Sequence, residues 1–97
     1  SIQTIDNNTY LVDGSIQIQE LNKRLHIKID DTNEDYDTLS GLIIYLLGFI
    51  PTINYRKEIP YQNLIFKIHK VRSNRVEEVL ITINEAKKDQ DEESEES

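Results

Sequence analysis

The chain has 97 residues, no cysteine and a net charge of −7. This length allows one domain with one modest hydrophobic core, and the missing cysteines exclude disulfides and thiolate metal sites. Nucleic-acid backbones bind to basic faces, so the acidic balance predicts no nucleic-acid partner. Because methionine is also absent, we expect Ser1 not to be the encoded start and the chain to be a piece of a longer protein or a processed product.

The negative charge is concentrated near the C-terminus. Residues 1–83 carry eleven acidic and nine basic side chains, a net charge of −2, whereas residues 84–97 carry seven and two, a net charge of −5. We interpret residues 84–97 as a solvated acidic tail, with docking to a basic partner as the alternative. Residues 9–83 then form the domain, and we expect residues 1–8 to be a linker from the preceding part of the parent chain.

The first elements in chain order are a strand and a short helix. Thr9–Val12 has strand-type residues and ends at the turn dipeptide Asp13-Gly14. Within IQELNKRL, at 18–25, apolar residues recur at i, i+3 and i+7, which predicts an amphipathic helix. Residues 27–29 alternate between apolar and polar side chains, so we expect a short extended strand there.

A dense apolar run, YDTLSGLIIYLLGFIP, occupies residues 36–51. Asp37 or Thr38 can cap the first helical turn, Gly48 can close the helix, and Pro51 prevents its continuation. The predicted helix has roughly ten residues and a length of ~15 Å. A membrane span needs ~20 residues, so the run predicts no direct membrane insertion.

The spacing within this run divides its side chains into two sets. One stripe at helical spacing is predicted to face the core: Leu39, Leu42, Ile43, Leu46, Leu47 and Ile50. Ile44, Tyr45 and Phe49 lie off that stripe. We interpret these three as a candidate interface, because exposed apolar side chains often mark a partner site. The alternative is that other parts of the same domain cover them.

The C-terminal half changes to a period of two. Leu64–Arg72 and Arg75–Ile83 alternate apolar and polar residues around a plausible turn at 73–74, which predicts an antiparallel hairpin. Glu58–Tyr61 is expected to add an edge strand, since Pro60 cannot donate a hydrogen bond to a ladder. The order of elements predicts an α+β domain with a small, mostly antiparallel sheet and two short helices.

The candidate metal site lies in the acidic loop before the apolar run. Side-chain oxygens occur at every second position, as at the start of an EF-hand calcium loop: Asp31, Asn33, Asp35 and Asp37. The sixth position of that motif is Tyr36 instead of glycine, and the twelfth is Leu42 instead of glutamate. A solvated loop that ends in a helix cap is the alternative interpretation.

No catalytic constellation is visible in the sequence. The two histidines, His26 and His69, have no nearby His or Cys partner, no serine lies in a GxSxG elbow, and three glycines cannot form a phosphate-binding loop. The adjacent carboxylates Glu77 and Glu78 point to opposite faces of a strand and cannot share a proton. We therefore predict a protein that is not an enzyme and has no resident cofactor.

Four motifs occur in a familiar order: YLVDG at 10–14, ELN at 20–22, TLSGLI with LLG and IP within 36–51, and LIFKI with RVEEVLI within 64–81. Together they resemble the CorC/HlyC domain, also called the transporter-associated domain, over residues 9–83. The resemblance implies a fold similar to one half of a PCMH-type FAD-binding domain. No catalytic residues are established for that family, so the resemblance transfers none.

The resemblance also implies a setting. Such domains usually end bacterial proteins that carry a pair of CBS domains and often a membrane domain, and that are linked to magnesium and cobalt efflux or named hemolysins. We expect a regulatory or assembly role on the cytoplasmic side of the plasma membrane, with the CBS and membrane domains of the parent, or a second copy in a homodimer, as partners. The alternatives are FAD or nucleotide binding, and cation sensing by the loop at 31–37.

The chain departs from that family in two places. Where this chain has Tyr45 and Phe49, helices of the family often carry an acid and a base, respectively. The two aromatic residues are four positions apart and share one face of the predicted helix. In addition, Thr52–Lys57 forms a somewhat longer linker without the glycine-acid pair that the family often has there.

Overall fold

The computed structural model describes residues 1–84, which form one antiparallel sheet and two helices. The elements in chain order are β1 (Ile2–Asp6), β2 (Thr9–Asp13), α1 (Ile18–Leu25), α2 (Leu39–Leu47), β3 (Ile59–Tyr61), β4 (Leu64–Arg72) and β5 (Arg75–Ile83). The strands are ordered β1-β2-β5-β4-β3, and every pairing is antiparallel. The α+β architecture predicted from the sequence is confirmed.

The β4–β5 hairpin has the predicted bounds and the predicted turn. Ser73 and Asn74 both have positive φ angles, of 53° and 61°. Two consecutive positive φ angles match the twist of a two-residue hairpin, and this turn type suits the strand registers that it joins. The central position of β5 between β2 and β4 buries its alternating Val79, Ile81 and Ile83.

Residues 1–8 do not form the expected linker, because Ile2–Asp6 is strand β1, hydrogen-bonded to β2. No alternation of apolar residues marks this strand, since four of its five side chains are exposed. For residues 27–29 the error is the reverse, because a strand was expected there and none forms. Ile27 and Ile29 are buried, but the segment belongs to no strand of the sheet.

Helix α2 begins and ends at the predicted caps. The Thr38 hydroxyl accepts a hydrogen bond from the Gly41 amide, and Gly48 closes the helix with φ of 82°. Leu39, Leu42 and Ile43 are fully buried, as the predicted stripe requires, and Leu46 and Leu47 are partly buried against the core.

Ile50 was predicted to face the core, but 49% of its surface is exposed. The reason is that the helix ends at Leu47, and the left-handed residue Gly48 redirects the chain. The helical stripe therefore does not continue to residue 50. The sequence-based assignment of Ile50 is wrong.

The core lies between the helices and one face of the sheet. The largest fully buried side chains come from α1, α2, β4 and β5: Phe66, Leu21, Leu39, Leu42, Ile43, Leu64 and Ile81. Within residues 1–84, no helix is long and apolar enough to cross a membrane. Of the predicted acidic tail, residues 85–97 lie outside the described part of the chain.

Candidate functional site

Three hydrogen bonds connect Gly14, Ser40 and strand β5 to one another. The Gly14 amide donates to the Glu77 carbonyl at 2.8 Å, and the Ser40 amide donates to the Gly14 carbonyl at 2.8 Å. The Val76 amide donates to the buried Ser40 hydroxyl at 2.9 Å. A Cβ atom on Gly14 would lie only 1.8 Å from the Val76 carbonyl oxygen. Glycine is therefore required sterically, and the motif residues Gly14 and Ser40 have a structural role.

The amides of the first turn of α2 are already paired within the domain. Leu39 donates to the Ile16 carbonyl at 3.0 Å, Ser40 donates to Gly14, and Gly41 donates to the Thr38 hydroxyl at 3.1 Å. A helix N-terminus binds phosphate through unpaired amides. This helix end therefore lacks the free donors that a nucleotide phosphate would use.

Asn22, from the ELN motif, fixes the segment that follows α1. Its side-chain amide donates to the Ile29 carbonyl at 2.8 Å, and its side-chain oxygen accepts from the Ile29 amide at 2.9 Å. These two bonds replace the strand ladder that residues 27–29 lack. They explain why Ile29 is buried without belonging to a strand.

The acidic loop that holds the candidate cation site is organised by hydrogen bonds within its own turns. The Asn33 side-chain oxygen accepts from the Asp35 amide at 2.8 Å, while Asp31, Asp35 and Asp37 are exposed. Hydrogen bonds from the Thr32 amide and then the Thr32 hydroxyl lower the pKa of Asp30. Nowhere in residues 1–84 do three His, Cys, Asp or Glu side chains gather closely enough to hold one metal ion.

Tyr36 holds this loop against α2. Its hydroxyl donates to the Asp30 carbonyl at 2.7 Å, and its ring centroid lies 5.4 Å from that of Tyr45. Burial, together with the neighbouring Tyr61 hydroxyl, raises the pKa of Tyr36 to about 12. The Tyr36 hydroxyl consequently stays protonated and serves as a structural donor.

An exposed apolar surface lies at the C-terminal end of α2 and on the segment after it. We call Tyr45, Phe49, Ile50 and Ile53 the α2 patch. Their exposed fractions are 48%, 51%, 49% and 66%, respectively. The Phe49 ring packs edge-on against Tyr55 at a centroid distance of 5.9 Å, so the segment after the helix lies beside the helix face.

The α2 patch overlaps the predicted interface only in part. Tyr45 and Phe49 are exposed, whereas Ile44 is partly buried against the core. Sequence reasoning missed Ile53 and placed Ile50 in the core. One feature of the sequence could have indicated that Ile50 and Ile53 are exposed. No charged residue occurs from Thr38 to Tyr55, a range that continues well beyond the end of the helix. An uncharged run that continues past the end of its helix predicts an apolar surface on the loop that follows.

The two histidines and the paired glutamates lie on the surface of the domain. His26 is exposed at the end of α1, with a left-handed φ of 55°. The His69 Nε2 atom lies 3.8 Å from Glu78, and Glu77 pairs with Lys70 at 3.0 Å. These are contacts between surface side chains, and such contacts contribute little to stability. None of them forms a catalytic arrangement.

The five-stranded antiparallel sheet and the two short helices define a small α+β domain. The family model of the transporter associated domain, CorC_HlyC, matches residues 3–85. Because this match spans most of the chain, the chain belongs to the transporter associated domain family. The resemblance predicted from the motifs is confirmed.

Two related proteins are several times longer than this chain. A polyamine export protein from Haemophilus influenzae is 26% identical over 80% of this chain, and the match covers 18% of the relative. A magnesium and cobalt efflux protein CorC from Pasteurella multocida is 26% identical over 88% of this chain, and the match covers 27% of it. The chain thus spans about a fifth to a quarter of these relatives.

The matches to solved structures with the same fold span nearly the whole length of those structures. A hemolysin domain from Enterococcus faecalis has a TM-score of 0.77 at 23% identity, over 84% of this chain and 95% of that one. The transporter associated domain from Nitrosomonas europaea has a TM-score of 0.71 at 31% identity, over 84% and 92%. A Xylella fastidiosa hemolysin domain in complex with Mg2+ and Mn2+ has a TM-score of 0.69 at 23% identity, over 84% and 95%.

Proposed function

We propose that this chain is a non-catalytic regulatory or assembly domain of a bacterial transport protein of the magnesium and cobalt efflux or hemolysin-like type. Family membership supports the setting, and the relatives' names support the class of transport. One relative is named for polyamines and the other for magnesium and cobalt, so export of cations is what they share. In this proposal the domain lies on the cytoplasmic side of the plasma membrane and acts by protein contacts.

The observation that carries this proposal is the α2 patch. With side-chain areas of ~200 Å², the exposed fractions of its four residues correspond to roughly 400 Å² of surface. Apolar patches of ~300–600 Å² are often functional in soluble domains. In the proposal this patch contacts the CBS domains of the parent protein, and so links the state of those domains to transport by the membrane domain.

A binding measurement between the chain and the rest of its parent protein tests the proposal. Tyr45→Glu with Phe49→Arg places two charges in the patch, and should weaken the association by about tenfold or more because each charge must be desolvated. Ile5→Arg is the matched control, since Ile5 is an equally exposed apolar residue on β1. The control should bind as the wild type does. Equal binding by all three proteins would refute a role for the patch.

A second candidate is cation sensing by the acidic loop. The Mg2+ and Mn2+ of the Xylella fastidiosa structure favour it, and Asp31, Asp35 and Asp37 present exposed carboxylates. Asn33 is less suitable, because its side-chain oxygen already accepts from the Asp35 amide. Calorimetry with Mg2+, Mn2+, Ca2+ and Co2+ decides between the two candidates. Heat that disappears in an Asp35→Asn/Asp37→Asn variant would support sensing, and no heat would remove it.

Binding of FAD or another nucleotide is a weaker candidate. It rests on the similarity to half of a FAD-binding fold, while the amides at the start of α2 are already paired. A thermal-shift titration with FAD and ATP tests it. An unchanged melting temperature at saturating nucleotide would exclude this function.

A further inference from the structure

We propose that Arg56 determines which protein surface the α2 patch accepts, by binding a carboxylate on that surface. This inference rests on the proposed function, in which the surface belongs to the CBS domains of the parent protein. It goes further by naming a recognition residue outside the patch and the chemical group that this residue binds. The group is the carboxylate of an aspartate or glutamate side chain.

Arg56 lies at the edge of the α2 patch. The Tyr55 amide donates to the Thr52 carbonyl at 3.1 Å, which closes a turn that includes Ile53. The Arg56 guanidinium donates to the Ile53 carbonyl at 2.8 Å and to the Tyr55 carbonyl at 3.2 Å. Ile53 belongs to the patch, and the Tyr55 ring packs on Phe49. These contacts place the positive charge next to the apolar surface.

The guanidinium of Arg56 is held in place and still has a free binding edge. Both of its main-chain hydrogen bonds come from Nη1, so the edge formed by Nε and Nη2 has no hydrogen-bond partner within residues 1–84. No Asp or Glu side chain in this part of the chain forms an ion pair with Arg56. The two donors on the free edge match the two oxygens of a carboxylate.

The charge of the domain favours a single carboxylate over a polyanion as the partner of Arg56. A guanidinium edge can also bind phosphate. However, residues 1–83 carry a net charge of −2, and the exposed Glu58 follows two positions after Arg56. An anionic membrane surface or a nucleic-acid backbone presents many negative charges, which an acidic domain repels. One carboxylate within an otherwise apolar contact causes no such repulsion.

A guanidinium that is already fixed makes the contact specific. An arginine side chain loses rotamer freedom when it binds, and the two main-chain hydrogen bonds of Arg56 have removed part of that freedom beforehand. Apolar neighbours such as Phe49 and Ile53 exclude water from the contact, which strengthens charged hydrogen bonds. A surface without a carboxylate at this point leaves the free edge of Arg56 unpaired. Arg56 therefore distinguishes the correct surface from other apolar surfaces.

The test measures binding of single variants to the rest of the parent protein at ~0.1 M and ~1 M salt. Arg56→Gln should bind about five- to tenfold more weakly at the lower salt concentration, because a charge-assisted pair of hydrogen bonds is lost. This difference should shrink at the higher salt concentration, where charges are screened. Lys57→Gln is the matched control, since Lys57 is exposed and has no side-chain partner within residues 1–84. It should bind nearly as the wild type does.

Arg56→Lys identifies the group that Arg56 contacts. This variant keeps the charge but lacks the planar pair of donors, so its affinity should lie between those of the wild type and Arg56→Gln. In a protein that also carries Lys57→Gln, a carbodiimide can join the introduced amine to a carboxylate in contact with it. Peptide mapping should find this crosslink on an Asp or Glu of the parent outside the domain. The crosslink should disappear when Tyr45→Glu and Phe49→Arg are added.

Three results would overturn the inference while the patch still binds the parent. The first is an Arg56→Gln variant that binds as tightly as the wild type. The second is a loss of affinity that is equal at both salt concentrations, because mere support of the turn does not depend on screening. The third is the absence of the crosslink to an acidic residue of the parent. A wild type that does not bind the parent would overturn the proposed function together with this inference.

Discussion

Replacing Gly14 by alanine should destabilise the domain more than its single added methyl group suggests. The new Cβ atom would lie 1.8 Å from the Val76 carbonyl oxygen, and the clash is with backbone that cannot rotate away. The turn must move, and it then strains the hydrogen bonds from Gly14 to Glu77 and from Ser40 to Gly14. Overpacking costs about 1–3 kcal/mol and each lost bond about 1 kcal/mol, so we expect a loss of about 2–4 kcal/mol.

Urea unfolding of three proteins measures this loss. The matched control is Gly48→Ala, because Gly48 has φ of 82° but nothing within 4 Å of an added Cβ. That variant suffers only the left-handed backbone strain, about 1–2 kcal/mol. The result that would refute this reasoning is a Gly14→Ala variant that is at least as stable as Gly48→Ala. The close contact between Gly14 and the Val76 carbonyl would then not be the reason for glycine at position 14.

Three further predictions concern single side chains. Asn22→Ala should lower the free energy of unfolding by about 1–3 kcal/mol because both of its bonds to Ile29 are lost, whereas Gln19→Ala on the exposed face of α1 should change it little. Ser40→Ala should cost a similar amount, since it leaves a buried strand amide unpaired, and Ser40→Thr restores the hydroxyl as a check. Because the pKa of Tyr36 is raised in the folded state, the Tyr36 hydroxyl ionises at a lower pH in the unfolded chain than in the folded one. The free energy of unfolding should therefore fall between pH 10 and about 12, by at most ~1.4 kcal/mol per pH unit. Tyr36→Phe should flatten that alkaline slope, and an unchanged slope would contradict the assignment.

The sequence predicted well those elements whose apolar residues recur at a regular spacing and whose ends are marked by turn or cap residues. The hairpin of β4 and β5 shows alternating β-branched residues, and α2 combines a buried stripe with Thr38 and Gly48 at its ends. Strand β1 could not be found in this way, because its backbone pairs with β2 while its side chains face solvent. Patterns of hydrophobicity report burial and carry no information on an exposed strand that is held by backbone bonds alone.

The site was predicted less completely than the fold. The exposure of Tyr45 and Phe49 could be predicted because helical geometry places them off the buried stripe. Ile53 was missed because no period governs a loop, and Ile50 was misplaced because the helical period was extended past Gly48. The roles of the motif residues likewise depend on contacts between distant segments, such as that of Gly14 with β5. Such contacts become visible only once the chain is folded.

The central claim is that the α2 patch forms a protein contact in the intact parent protein. Amide hydrogen exchange of residues 49–54, compared between the isolated chain and the full-length parent, tests it most directly. These residues follow the helix and are largely exposed in the isolated domain, so their amides should exchange quickly there. We predict slower exchange of these amides in the parent and unchanged exchange in β1. Equal exchange of residues 49–54 in both proteins would contradict the claim.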